Sequence, residues 1–322
     1  RNLFMSVDPY MRGRMRDGKS YVPPFQIGET MDGGAIGQVV ASEFEGLSEG
    51  DYILSSFGWR EAFRCAGDRV KPLGELEAPP SAYLGVMGMP GMTAYTGLLG
   101  AASLQEGETV FVSGAAGAVG SAVGQIAKIK GCRVIGIAGG AEKCAWLTNT
   151  AKFDAAIDYK NENIGECLAT LCPEGVDVYF DNVGGEMLDT VLLHVAKNAR
   201  IVLCGAISQY NTPNDMYGLK NYLSLIINRG QAQGFIVLDY LQRAIEGLLC
   251  LNKWIEDGKL IQEIDIQEGF EQIPATLTRL FTGENLGKQL LKVCDAPLPI
   301  RTSPIEKAMF VIMSNYMVWR KG

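Results

Sequence analysis

Ser113-Gly114-Ala115-Ala116-Gly117-Ala118-Val119-Gly120 is the stretch on which the fold turns. It follows Thr109-Val110-Phe111-Val112, a short and mostly apolar run of the kind that forms a buried parallel strand. From Ser121 onward Val123, Ile126, Ala127 and Ile129 recur at helical spacing, and Gly131 ends the pattern. A second apolar strand, Arg133-Val134-Ile135-Gly136-Ile137-Ala138, comes next. The unit is therefore strand, glycine turn, helix, strand. Its G-x-x-G-x-x-G spacing is a variant of the dinucleotide fingerprint G-x-G-x-x-G. Glycine and alanine let a pyrophosphate approach the backbone where free N–H groups and the helix dipole favour an anion. A glycine-rich turn can also be no more than a tight connection; the flanking strand and helix periodicity favours the nucleotide.

Working outward, further strands are expected at 155–158, 176–181, 200–204 and 232–235, alternating with helices. That alternation implies βαβ units and a doubly wound parallel sheet. A long helix is expected over 238–257, with Leu241, Ile245, Leu248 and Leu249 near helical period and Gly258 at its end. The residues before Pro90 are instead rich in Gly and Pro, with short strands at 35–41 and 51–55. Ile264, Ile266, Phe270 and Ile273 lead back to that β-rich part, where 290–293 forms a last strand. Two domains follow: residues 1–90 with 265–322, and an inserted nucleotide-binding domain over 91–264. There is no convincing tandem repeat.

The bulk properties agree with a globular α/β protein. The 322 residues suffice for two cores, and 47% hydrophobic with 20% charged residues is not a disordered composition. A net charge of -7 and the lack of a basic run argue against nucleic acid. No apolar stretch of about 18 residues is present for a membrane span. The first residues, Arg1-Asn2-Leu3-Phe4, carry no signal-peptide pattern, and eight cysteines without paired spacing suit reduced thiols, so a cytoplasmic setting is expected. The single histidine, His194, follows Val191-Leu192-Leu193 on an expected helix, and no C-x-x-C pair exists. No metal site is assigned.

The choice of nucleotide rests on the end of the second strand. An acid there would bond the adenosine ribose 2′-hydroxyl and select NAD. Here the strand runs out as Ile137-Ala138-Gly139-Gly140 without a carboxylate, and Glu142 and Lys143 stand on the next helical turn. Lys143 can meet a 2′-phosphate and so favours NADP, although it could equally be a solvated helix lysine.

Several separated segments then share one resemblance: Ser6-Val7-Asp8-Pro9-Tyr10-Met11-Arg12, Val86 to Tyr95, the glycine turn, Phe180-Asp181-Asn182-Val183-Gly184-Gly185, Gly205 to Asn211, and Glu284-Asn285-Leu286-Gly287-Lys288. In this order they resemble the zinc-independent medium-chain reductases, the group of prostaglandin (leukotriene-B hydroxydehydrogenase), alkenal double-bond and curcumin-type reductases. The resemblance covers roughly residues 1–295. It implies a GroES-like β-rich domain joined to a Rossmann domain, and NADPH-dependent reduction of an α,β-unsaturated ketone or aldehyde. Zinc-dependent relatives carry G-H-E where this chain has Gly28-Glu29-Thr30, which offers no histidine ligand. Two other readings stay open, an NADPH quinone reductase and a catalytically silent NADPH-binding relative.

By position, the resemblance assigns Gly117, Ala118, Val119 and Gly120 to the pyrophosphate, and Lys143 with Tyr159 to the 2′-phosphate end. Asn182 falls on the cofactor-binding asparagine, and Cys204, Gly205, Ala206, Ile207, Ser208, Gln209 and Tyr210 on the loop along the nicotinamide ribose. Phe235, Ile236 and Val237 lie by the nicotinamide, and Asn285 reaches the cofactor from the returning segment. Without the resemblance, Tyr159 reads as a surface tyrosine and Asn182 as a turn residue. Tyr210 is the candidate catalytic residue, as proton donor or as positioning group, since a phenol can bond an oxyanion without carrying charge. Tyr10 lines the substrate site or is a strand-end core residue. Relatives carry further strands before the point where this chain starts. The apolar runs 308–313 and 316–319 could add a strand or form an unrelated extension, and an unpaired strand edge would promote association, so a homodimer is expected.

Overall fold

The structure is a computed structural model and describes residues 1–298; the two apolar runs of the tail lie outside the described residues. Along the chain come β1 (Asn2–Ser6), α1 (Tyr10–Arg14), β2 (Ala35–Gln38), β3 (Tyr52–Ser55) and the two-residue β4 (Lys71–Pro72). Then α2 (Met89–Thr96) leads to β5 (Thr109–Val112), α3 (Ala118–Ile129), β6 (Arg133–Ala138), α4 (Ala141–Asn149), β7 (Ala155–Asp158) and α5 (Ile164–Leu171). They are followed by β8 (Val176–Asp181), α6 (Gly185–Leu192), β9 (Val195–Leu203), α7 (Leu223–Asn228), β10 (Gln231–Gly234) and α8 (Ala244–Glu256). Last come β11 (Ile264–Glu268), α9 (Ile273–Thr282) and β12 (Lys288–Lys292).

Two six-stranded sheets result, ordered β11-β12-β1-β2-β3-β4 and β10-β9-β8-β5-β6-β7. Every pairing in the second is parallel. Strands β5, β6 and β8 of this sheet are buried on both faces: Val110, Phe111 and Val112, like Val134 and Ile135, have no exposed surface. Burial on both sides requires runs of Val, Ile and Phe without polar alternation, which is why these strands stand out in the sequence. The strand order reverses direction at β5 and β8, and ligands of doubly wound sheets bind in the crevice outside such a point. The first sheet is mixed, with β1 antiparallel to β12 and β11 parallel to β12.

Two helices differ from the sequence expectation. α3 begins at Ala118 instead of Ser121, so the last glycine of the turn belongs to the helix's first turn. The helix expected over 238–257 is broken: Val237–Arg243 is 3-10, Tyr240 leaves helical geometry at φ -113 and ψ 22, and α8 starts at Ala244. Tyr240 instead packs on Phe235, with ring centroids 5.2 Å apart. The inward face of α8 is Ala244, Gly247, Leu248 and Leu251, while Ile245 and Leu249 face outward. His194 lies past the end of α6 rather than on it, and is half-buried, which lowers its pKa.

Candidate active site

Between the two sheets runs a cleft of about 1200 Å³. Its floor on one side is the glycine turn. Gly117 precedes α3 in extended geometry, and the first N–H groups of this twelve-residue helix open toward the cleft. At Gly120 a Cβ would stand 2.3 Å from the Gly114 carbonyl oxygen and 2.8 Å from the Ala115 Cα, so no larger residue lets the helix start this close to the strand. Behind the turn, the buried Asp181 side chain at the end of β8 accepts bonds from Ser113 Oγ, Tyr179 Oη and the Val183 and Gly184 amides. Asn182 lines the cleft, but its Nδ2 donates to the Ser113 carbonyl at 2.7 Å, which ties it to the start of the turn.

At the tip of β6, Lys143 is placed by the first turn of α4. Its Nζ donates to the carbonyl of Gly283 at 2.7 Å. Gly283 ends α9 in the left-handed conformation (φ +68), which turns the chain toward that lysine. No carboxylate pairs with Lys143 among the described residues, and burial followed by the nearby charge of Lys160 lowers its pKa. Tyr159 also lines the cleft, and its hydroxyl, like the Lys160 stem, stands against Gly139. Lys160 is a residue that motif reading passes over; its only sequence signal is adjacency to Tyr159. The strand-tip acid absent from β6 has a counterpart on β7: Asp158 accepts the Gly140 N–H at 2.8 Å and fixes the loop. Lys143 without a carboxylate partner, with Lys160 close by and Asp158 committed to the loop amides, beside a glycine turn that a Cβ would fill, fits a dinucleotide with a 2′-phosphate.

The returning segment closes the cleft from the other sheet. Gly287 N–H bonds the Ala116 carbonyl at 2.8 Å, directly over the glycine turn, and Asn285 lines the cleft with its Nδ2 on the Gly287 carbonyl. Next to it Lys288, 2% exposed, pairs with Asp8 at 2.7 Å. That buried pair joins two of the segments quoted from the sequence and holds the loop leading to Tyr10. The sequence showed both residues but not their partnership.

Cys204, Gly205, Ile207, Ser208 and Tyr210 line the cleft, as do Phe235, Ile236 and Val237. Ala206 and Gln209 do not. Ala206 turns its amide to the Tyr210 hydroxyl at 3.2 Å, and Gln209 faces a separate depression, where its Oε1 accepts the Tyr217 N–H. In a tight loop neighbouring side chains diverge, so a contiguous span cannot all face one ligand. The loop is pinned from α1 and its continuation: Arg16 donates to the Tyr210 carbonyl and Arg12 to Asn211 Oδ1 at 2.8 Å. Three phenols gather here. Burial raises the pKa of Tyr210 and of Tyr10, the latter helped by Asp8. Tyr21, unmarked by any motif, is 56% exposed overall, yet its hydroxyl is desolvated, which together with its nearness to Tyr210 raises its pKa. The half-buried Cys204 thiol is likewise pushed up to about 12. Among the described residues no group of three or more His, Cys, Asp or Glu stands together as a metal requires.

Two family models match parts of the chain. Residues 1–73 match a family described as the N-terminal domain of oxidoreductase, and residues 118–251 one described as zinc-binding dehydrogenase. A Bacillus subtilis protein, YfmJ, whose name places it among NADP-dependent oxidoreductases, is 50% identical over 92% of this chain and 88% of its own length. NADPH-dependent curcumin reductase of Escherichia coli is 42% identical over 91% of this chain and 86% of its own. The NADP(+)-dependent 2-alkenal reductase of Nicotiana tabacum is 41% identical, with the same coverage of 91% and 86%. Among solved structures, CurA of Vibrio vulnificus in complex with NADPH superposes with a TM-score of 0.87 at 42% identity, covering 92% of this chain and 89% of that one. A quinone oxidoreductase of Pseudomonas syringae reaches a TM-score of 0.72 at 21% identity, covering 91% and 90%; this likeness is one of fold alone.

Proposed function

This chain belongs to the medium-chain dehydrogenase/reductase family, in its NADP-dependent group with the curcumin and alkenal reductases, and from that premise we propose that it reduces the C=C bond of α,β-unsaturated ketones or aldehydes with NADPH. The observation that carries the reading is the continuity of the cleft. It runs from Lys143 at the β6 tip, past the glycine turn, to the phenols of Tyr10, Tyr21 and Tyr210.

When bound, NADPH supplies the hydride that a conjugated carbonyl accepts at its β-carbon. The chain's own residues do the rest. Gly117 to Gly120 and the start of α3 bind the diphosphate, Lys143, with Tyr159, holds the 2′-phosphate, and Asn285 with the 204–210 loop orients the ribose. Phe235, Ile236 and Val237 form an apolar wall that keeps water from the nicotinamide pocket. Charge develops on the carbonyl oxygen, where a neutral hydrogen-bond donor is worth most in a desolvated site. Tyr210 meets that need. Its oxygen already accepts the Ala206 amide, so its own proton is free to donate, and its raised pKa keeps that proton on. Cys204 has the complementary property. A thiolate beside an enone would add to it readily, whereas a half-buried thiol kept protonated adds far more slowly.

The test is direct. Purified protein with oct-3-en-2-one should consume NADPH and yield octan-2-one, identified by mass spectrometry. Consumption with a quinone but no enone would overturn the reading in favour of quinone reduction. NADPH binding without oxidation across a set of enones and enals would leave a binding protein.

A homodimer is part of the proposal. β10 is the outer strand of its sheet, with all four residues exposed, and beside it Leu223, Ile226 and Ile227 of α7 are 56%, 68% and 64% exposed. An open strand edge next to an apolar face is what a second copy would cover. The eight cysteines are all free thiols, in keeping with a reducing, cytoplasmic setting. No helix of the described residues is long and apolar enough to cross a membrane.

A further inference from the structure

Arg12, Arg14 and Arg16 leave one short helical segment in different directions. Arg12 and Arg14 belong to α1, and the Arg16 N–H bonds the Gly13 carbonyl at 3.3 Å, so helical winding runs a step past the helix end. Arg14 turns inward. It pairs with Asp32, donates to the Pro23 carbonyl at 2.8 Å and lies 4.0 Å over the Phe25 ring, which fixes the segment that brings Tyr21 to the cleft. Arg12 and Arg16 are four residues apart, neighbours on one helical face, and they reach the other domain. Arg12 Nε donates to Asn211 Oδ1 at 2.8 Å, and Arg16 Nη2 donates to the Tyr210 carbonyl. Among the described residues these are the two hydrogen bonds that join residues 1–90 to the 204–222 loop.

The rest of that loop shows why the tie matters. Before Tyr210 it is anchored to the end of β8: Ile207 N–H bonds the Asn182 carbonyl at 3.2 Å and Ser208 Oγ the Val183 carbonyl at 2.7 Å. After Asn211 the described bonds stay within the loop, from Thr212 N–H to the Gln209 carbonyl and from Asp215 N–H to the Thr212 carbonyl. Only at Tyr217 does its hydroxyl reach Asp189 on α6, at 3.1 Å. Tyr210 thus stands where the anchoring by its own domain runs out, and a charged donor from the β-rich domain takes its carbonyl. Neither Arg12 nor Arg16 lines the cleft, so any effect of theirs on the chemistry passes through the loop.

We propose that Arg16, with Arg12 beside it, is the positioning residue for Tyr210: the β-rich domain supplies the tie that sets the donor hydroxyl of the cofactor domain against the substrate carbonyl. The inference rests on the enone-reductase reading above, with Tyr210 as its donor. A displacement of about 1 Å at a reacting group can lower turnover about 10²-fold.

The test is a set of variants assayed with NADPH and oct-3-en-2-one. Arg16→Ala should lower kcat about tenfold or more, while the Kd for NADPH, from fluorescence titration, moves by less than about threefold. Arg16→Lys keeps an ionised donor for the single carbonyl and should recover kcat to within about threefold of wild type. With Tyr210→Phe already in place there is no donor to position, so adding Arg16→Ala should change kcat by less than about twofold. Should Arg16→Ala fail to fold, Arg16→Met, which keeps the apolar stem, carries the same comparison. An undiminished kcat overturns the proposal. So does a loss of equal size with and without the Tyr210 hydroxyl, a loss that lysine does not recover, or a Kd for NADPH that rises as far as kcat falls. No turnover by the wild type removes the enone reading, and an unchanged kcat in Tyr210→Phe alone removes the donor; either takes this assignment with it.

Discussion

Tyr210 is held at both ends. Arg16 takes its carbonyl and the Ala206 amide takes its hydroxyl oxygen, so the ring has little freedom and one proton to offer. Removing only the hydroxyl should therefore leave the loop in place and take away the donor. Tyr210→Phe is expected to lower kcat with an enone by about 10²-fold, the usual weight of a positioned acid or oxyanion donor, while the Kd for NADPH moves by less than about threefold. Stopped-flow turnover and fluorescence titration of NADPH separate the two, and an unchanged kcat would assign Tyr210 to positioning alone. At this scale the sequence was partly legible. Tyr210, Lys143 and Asn285 lie on motifs, and the structure brings all three to one cleft. Tyr21 and Lys160 lie on none, because the path of the chain in three dimensions, rather than spacing, brings them beside Tyr210 and Gly139. Asn182 lies on a motif, yet its amide is committed to the Ser113 carbonyl, a bond no one-dimensional pattern displays.

Elements were legible in proportion to how one-sided their environment is. Strands β5, β6 and β8 are buried on both faces and read as plain apolar runs, and the bounds of the parallel strands agree within a residue or two, apart from the earlier start of β9. α1 has five residues, including Gly13, too few to show a period, and β4 has two. The 238–257 helix fails at Tyr240 because a single ring contact with Phe235 outweighs local helical propensity. The start of α4 and the end of α9 also meet functionally. Lys143 bonds the Gly283 carbonyl, and under the proposed assignment the lysine would exchange this neutral acceptor for the charged 2′-phosphate. Lys143→Ala should raise the KM for NADPH about 10- to 100-fold and that for NADH less than about threefold, since only the first cofactor carries the anion. Equal losses for both would mean that the lysine serves the α9 loop instead.

Among the described residues, the open β10 edge lies beside an exposed apolar face of α7 formed by Leu223, Ile226 and Ile227. If a second copy covers it, Ile226→Asp with Ile227→Asp should convert a dimer into a monomer, read by light scattering after gel filtration. A wild-type protein that is monomeric at micromolar concentration would refute the assembly. A last consequence follows from the pairing of β1 with β12. The Lys288–Asp8 contact spans 280 positions, and the whole parallel sheet is encoded between its partners. On the ribosome, β1 emerges with one edge open and keeps it open until β12 arrives. The cofactor domain can thus fold as a unit while the substrate domain is still incomplete, and the site between them becomes functional only once β12 has paired with β1.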